Sequence, residues 1–115
     1  MYFPVSSILI EFLILAIIEK GDSYGYEISQ TIKLIANIKE STLYPILKRL
    51  EKAGYVTTYS QEYQGRRRKY YSITPEGLVD LARRKEEWQS HISTIDGIIE
   101  GRIRHDKKWL FTRAG

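Results

Sequence analysis

Between Ile8 and Ile18 every residue except Glu11 is apolar. A helix drawn through this run is hydrophobic around almost its whole circumference, so one buried face cannot account for it. Some second surface has to cover the remainder. The run is too short to span a bilayer, which takes roughly 20 residues. No Lys or Arg precedes it, and no small-residue cleavage site follows before Lys20, so a secretory leader is a poor reading as well. A chain of 115 residues has room for one domain and buries only a modest share of its surface. A partner subunit is a natural source of the missing cover.

Helical periodicity recurs in four segments, with strand-like sequence only between the third and fourth. The first helix is expected over about Ser6 to Lys20. Gly21, Asp22 and Ser23 stop it and offer side-chain oxygens to cap a second helix, about Tyr24 to Ile35, with Tyr24, Ile28, Ile32 and Ile35 on its inner face. The third, about Glu40 to Ala53, buries Leu43, Ile46, Leu47 and Leu50 at i, i+3, i+4 and i+7. Gly54 suits the left-handed position after it. Val56 to Ser60 and Lys69 to Thr74 read as strands of a hairpin, with Tyr71 and Ile73 inward and Tyr70 and Ser72 outward. Thr74, Pro75 and Glu76 then start a long helix: a capping hydroxyl, a proline where no N–H is needed, and an acid at the positive end of the dipole. Along it Leu78, Leu81, Lys85, Trp88, Ile92, Ile95 and Ile99 recur in steps of three and four, as in a coiled-coil seam that Lys85 interrupts. Gly97 and Gly101 weaken its far end, and fraying is expected beyond about Glu100.

Three helices followed by a two-stranded hairpin match a winged helix-turn-helix, mainly α with a small β element, in which the third helix enters the major groove of DNA. The charges fit that architecture. Lys48, Arg49 and Lys52 lie off the core stripe of the third helix, and Arg66, Arg67, Arg68 and Lys69 form a cationic tip on the hairpin. Ser41, Thr42 and Tyr44, near the helix start, can donate to phosphates or reach base edges, and the helix N-terminus itself favours an anion. Lysines and arginines on a helix are often just a solvated face. Four adjacent cations on a hairpin repel one another without contributing packing, so a polyanionic ligand explains them better. The net charge of +4 agrees.

Three blocks resemble the PadR family of transcriptional regulators, in its short, single-domain form: GDSYGYEIS at Gly21–Ser29, ESTLYPILKRLEKAGYV at Glu40–Val56, and GRRRKYYSITPEG at Gly65–Gly77. The resemblance implies a winged domain over 1–74, a dimerisation helix over 75–101, and a basic tail over 102–115. It also implies a homodimer on an inverted-repeat operator, acting as a repressor in the cytoplasm. The first and last helices would form the interface through Ile8, Leu9, Phe12, Leu13, Trp88, Ile92, Ile95 and Ile99. Tyr44 and Pro45 fall on the family's TLYP segment near the DNA backbone, and Lys39 and Glu40 at the entry to the recognition helix. Lys39 is a departure, because relatives often carry a capping hydroxyl or amide there. Some short relatives hold flat hydrophobic compounds between subunits with a tryptophan of the last helix. Trp88 stands at that place, and Phe12, Leu15 and Ile92 would line the walls; the plainer reading is that Trp88 fills the interface.

Other function classes fare worse. With no cysteine there is no thiolate metal site, disulfide or cysteine nucleophile. His91 and His105 lack metal-ligand spacing, and neither a phosphate-binding glycine loop nor a serine nucleophile motif occurs. Neither an enzyme nor a cofactor is expected. A winged domain used for protein contacts, its cations meeting an acidic surface, is the remaining alternative.

Overall fold

The computed structural model describes residues 5–105, so the expected basic tail lies outside the described residues from 106 onward. Helix α1 (Ser7–Lys20) is capped by Ser6, whose hydroxyl accepts from the Leu9 N–H at 3.2 Å. Ile10, Ile14, Leu15 and Ile18 are its buried residues, while Ile8 stays 72 % exposed and Leu9, Phe12 and Leu13 are half-buried. The core of the chain therefore takes part of this apolar helix and leaves the rest. Leu15, expected on the wall of a ligand pocket, is 0 % exposed and packs within the core of the chain.

A short strand that the sequence does not announce follows α1. Strand β1 (Ser23–Tyr24) joins the hairpin to make a three-stranded sheet of order β1-β3-β2. Tyr24 is thereby committed to extended backbone (φ −112°, ψ 162°) and leaves the second helix, which shortens at both ends to α2 (Gly25–Ile32). No side chain caps α2; the Ser23 hydroxyl donates instead to the Glu27 carboxylate. Ile35, expected on the inner face, lies past the helix end and is 46 % exposed, while Ala36 and Ile38 turn into the core.

Helix α3 (Glu40–Lys52) buries Leu43, Ile46, Leu47 and Leu50, as its periodicity requires. Lys39 occupies the cap position without a capping side-chain bond, so the departure there leaves first-turn N–H groups open. Pro45 sits inside the helix, where its missing N–H leaves the Ser41 carbonyl without its i+4 donor. The helix closes with a Schellman motif: Gly54 at φ +84° donates to the Glu51 carbonyl, and the Tyr55 N–H to that of Leu50.

Strands β2 (Val56–Tyr63) and β3 (Arg66–Ile73) are longer than expected and pair antiparallel about Gln64 and Gly65, both at positive φ, as in a two-residue primed turn. Arg66, Arg67, Arg68 and Lys69 therefore lie along β3 rather than at the tip. Ionic side chains on both faces erase the apolar alternation that marks a strand, so sequence periodicity stops short of them. Helix α4 (Pro75–Ile99) starts at Thr74, whose Oγ1 accepts from the Gly77 N–H at 2.9 Å and donates to the Gly54 carbonyl at 2.6 Å. These bonds tie the start of α4 to the end of α3.

The chain divides into two compact units, one up to Leu81 and one from Ala82, the division falling within α4. In the second unit Trp88, Ile92 and Ile95 are half-buried, while Ile98 and Ile99 are 58 % and 76 % exposed. The helix ends at Ile99, close to the expected limit. Gly101 (φ +77°) and the Arg102 N–H close it on the Ile98 and Gly97 carbonyls. Among the described residues no helix is long and apolar enough to cross a membrane.

Candidate nucleic-acid interface

The buried stripe of α3 fixes what its opposite side presents. Ser41, Thr42, Tyr44, Pro45, Lys48, Arg49 and Lys52 are all exposed, with Lys39 and Glu40 at the entry. Strand alternation sorts the β3 cations in the same way. Tyr71 is buried at 4 % exposure, so Lys69 and Arg67, two and four residues before it, project from the face that packs on the core. Arg66 and Arg68 project from the other. The four cations of the wing are thus two pairs with different surroundings.

Of the core-side pair, Lys69 lies towards α3. Tyr44, Lys48 and Glu51 of α3 line a groove of about 190 Å³ with Lys69 and Tyr71 of β3. Two ammonium groups on separate elements, flanked by phenols, make a small cationic trough suited to a phosphate oxygen. Burial, and then the neighbouring Tyr44 and Glu51, push the Tyr71 phenol above its ordinary range, so it remains a donor at neutral pH. Glu51 also accepts from the Thr58 hydroxyl at 3.3 Å, which moderates its charge towards the groove. Tyr44 is packed tightly at the tip of its ring: a Cβ on Gly25 would come within 2.7 Å of its hydroxyl oxygen, so glycine at the start of α2 makes room for the ring.

Two expected contact residues have other engagements. Arg49 pairs with Glu11 of α1 at 2.9 Å, with Glu11 only 17 % exposed. Its guanidinium ties α3 to α1, a link across 38 positions that no local pattern announces. Arg68 lies between the rings of Tyr24 and Tyr63. Sequence reasoning misses these tyrosines, although a two-residue turn at Gln64–Gly65 sets Tyr63 opposite Arg66, within a diagonal of Arg68. The Tyr59 hydroxyl donates to Asp22 at 2.7 Å, which holds that phenol above its usual range.

Trp88 and Ile92 fall in the second unit, where the Trp88 ring lies 6.4 Å from that of His91. Phe12 is half-buried in the first unit, against its core. Among the described residues no cluster of His, Cys, Asp or Glu could hold a metal.

Known structures share this architecture. A crystal structure of a Streptococcus mutans UA159 protein is similar over 92 % of this chain and 100 % of its own, at 70 % identity and a TM-score of 0.89. A PadR family transcription regulator from Clostridium difficile R20291 is 36 % identical over 78 % of this chain and 97 % of its own, with a TM-score of 0.73. Bacillus subtilis PadR in complex with operator DNA is 28 % identical, with a TM-score of 0.60, over 65 % of this chain and 45 % of that one. The model of the transcriptional regulator PadR-like family matches residues 14–83, the greater part of the sequence, and the chain belongs to that family, a transcriptional regulator rather than an enzyme.

Proposed function

We propose that this chain is a homodimeric repressor that sets one α3 per subunit into the major groove of an inverted-repeat operator and lays its wing on the flanking backbone. The observation that carries the reading is the shared groove, in which Lys48 of α3 and Lys69 of β3 can meet one phosphate run together. Arg67 projects from the same face of the wing and Lys52 from the exposed side of α3. Ser41 and Thr42, with Lys39 and Glu40 beside them, stand at the N-terminal turn, which in helix-turn-helix proteins approaches base edges. The operator complex of the Bacillus subtilis relative supports duplex DNA as the ligand.

The apolar surface left on each unit supports a second copy as the dimer partner. In the first unit an apolar groove of about 410 Å³ runs between Leu13, Ile17, Ile32 and Leu34, and Ile8 is bare. In the second, Ile98 and Ile99 are bare and Trp88, Ile92 and Ile95 are half covered. Mutual burial between two subunits would remove these surfaces from water.

Salt dependence tests the DNA reading. If about three cations per subunit meet phosphates, duplex affinity of the dimer falls with a log–log salt slope near −5. Fluorescence anisotropy on a labelled duplex reads it. A slope near zero, or no binding at low ionic strength, would leave protein contacts as the better account of the wing.

Release by a flat hydrophobic compound is the finer part of the proposal, resting on Trp88 and Ile92 of the second unit. A bound compound would free DNA if it favoured a spacing of recognition helices unlike that of the operator. In a Trp109→Phe background, so that emission reports Trp88 alone, planar aromatic compounds should quench fluorescence saturably and lower operator affinity in the same concentration range. Linear, unsaturable quenching across a broad panel would count against the pocket.

A further inference from the structure

Of the two wing cations that face away from α3, Arg66 is exposed, whereas Arg68 is half-buried against aromatic rings. The Arg68 guanidinium carbon lies 4.4 Å from the centre of the Tyr24 ring and 4.6 Å from that of Tyr63. Tyr24 belongs to β1, at the root of the sheet, and Tyr63 is the last residue of β2 before the turn. Beside this sandwich the Tyr70 ring stacks on Tyr59 at 5.5 Å and 12°, and meets Tyr24 edge-on. The Tyr59 hydroxyl fastens the cluster to Asp22.

The position matters because of what the hairpin lacks. Strand β1 pairs only with Tyr71 and Tyr70 of β3, so beyond Tyr70 the wing has just its own two-stranded ladder. A two-stranded ribbon without a packed face is marginal in water and free to bend. A planar guanidinium stacked on aromatic faces is held by cation–π attraction and would have to leave both rings to reach a phosphate.

We infer that Arg68 is a positioning residue for DNA binding: clamped between Tyr24 and Tyr63, it fixes the projecting hairpin so that Arg67 and Lys69, on the opposite face, meet the backbone together. The inference rests on the duplex-binding reading above and assigns Arg68 a role different from that of its neighbours in the cationic run. It requires that the aromatic partners matter as much as the arginine, and that the charge of Arg68 is not itself neutralised by DNA.

The test uses the full chain, a labelled mixed-sequence duplex of about 24 base pairs and KCl from roughly 50 to 300 mM. Arg68→Ala should lower affinity about fivefold at every salt concentration, with the slope unchanged. Arg67→Ala should lower the slope by about 0.9 per subunit. Tyr63→Leu should reproduce the Arg68→Ala loss, the double variant should be no worse than either single one, and Tyr63→Phe should bind as the parent does. Amide exchange of residues 61–68 in the free protein should accelerate about tenfold in Arg68→Ala and Tyr63→Leu but not in Tyr63→Phe. A slope reduced by Arg68→Ala, additive losses, or unaltered exchange would each overturn the clamp. If the parent protein bound no duplex, the DNA reading would fall, while exchange would still decide whether Arg68 holds the hairpin.

Discussion

Gly77→Ala is expected to cost about 3 kcal/mol and to lower the melting temperature by about 10 to 20 °C. A Cβ at this position would stand 2.1 Å from the Tyr55 carbonyl oxygen and 2.8 Å from Ile73 Cγ1. The first of these is a backbone atom that no rotamer change can move. That carbonyl already accepts from the Thr74 N–H at 3.0 Å, and Thr74 Oγ1 holds both the Gly77 N–H and the Gly54 carbonyl. Backing α4 away from Tyr55 would therefore strain three hydrogen bonds at once, including a helix cap worth about 1 kcal/mol. Alanine's better helix propensity returns at most about 1 kcal/mol. Gly21→Ala is the control, because its φ of 165° is ordinary extended backbone and nothing lies within 4 Å of the added carbon. Thermal unfolding followed by circular dichroism compares the two; equal melting temperatures would mean that α4 can shift off Tyr55 freely.

The features legible in the sequence are those set by neighbours along the chain. The α3 stripe, the Gly54 turn and the Thr74–Pro75 start follow from helical period, the need for a positive φ, and capping chemistry, and all stand in the structure. What escapes is non-local. A two-residue strand such as Ser23–Tyr24 has no period to detect and exists because Tyr70 and Tyr71 are there to pair with it. Periodicity carries α2 too far because Ile35 continues an apolar spacing that the backbone has already abandoned after Ile32. The outer half of the wing reads as a loop because its residues are polar on both faces, although Gln64–Gly65 resembles the residue pairs that favour a primed turn. Recognising that turn extends both strands and separates Arg67 and Lys69 from Arg66 and Arg68. No comparable hint exists for Glu11 and Arg49: a lone acid in an apolar run shows only that it needs a partner.

Lys48→Ala combined with Lys69→Ala should weaken duplex binding about a thousandfold near 0.1 M salt while leaving the fold intact. Both side chains are exposed, and neither belongs to the buried core, so truncation removes little packing. Their worth lies in displaced counterions. Each phosphate deprived of its lysine takes about 0.9 from the log–log salt slope, which at 0.1 M amounts to nearly tenfold in affinity. Two lysines in each of two subunits then account for roughly three to four orders of magnitude. The slope should fall from near −5 to about −2, with the remaining dependence carried by about one further cation per subunit, such as Arg67. Because phosphate contacts are blind to base identity, the loss should be alike on an operator and on unrelated duplex, whereas Ser41→Ala should shift the preference between them. Each lysine alone should give about half the logarithmic loss if the two bind separate phosphates. If they share one phosphate in the Tyr44–Tyr71 groove, either substitution should do most of the damage. A double variant that kept the parent's slope would show that the groove does not lie against the backbone, and the docking of α3 would have to be redrawn with β3 turned away from DNA.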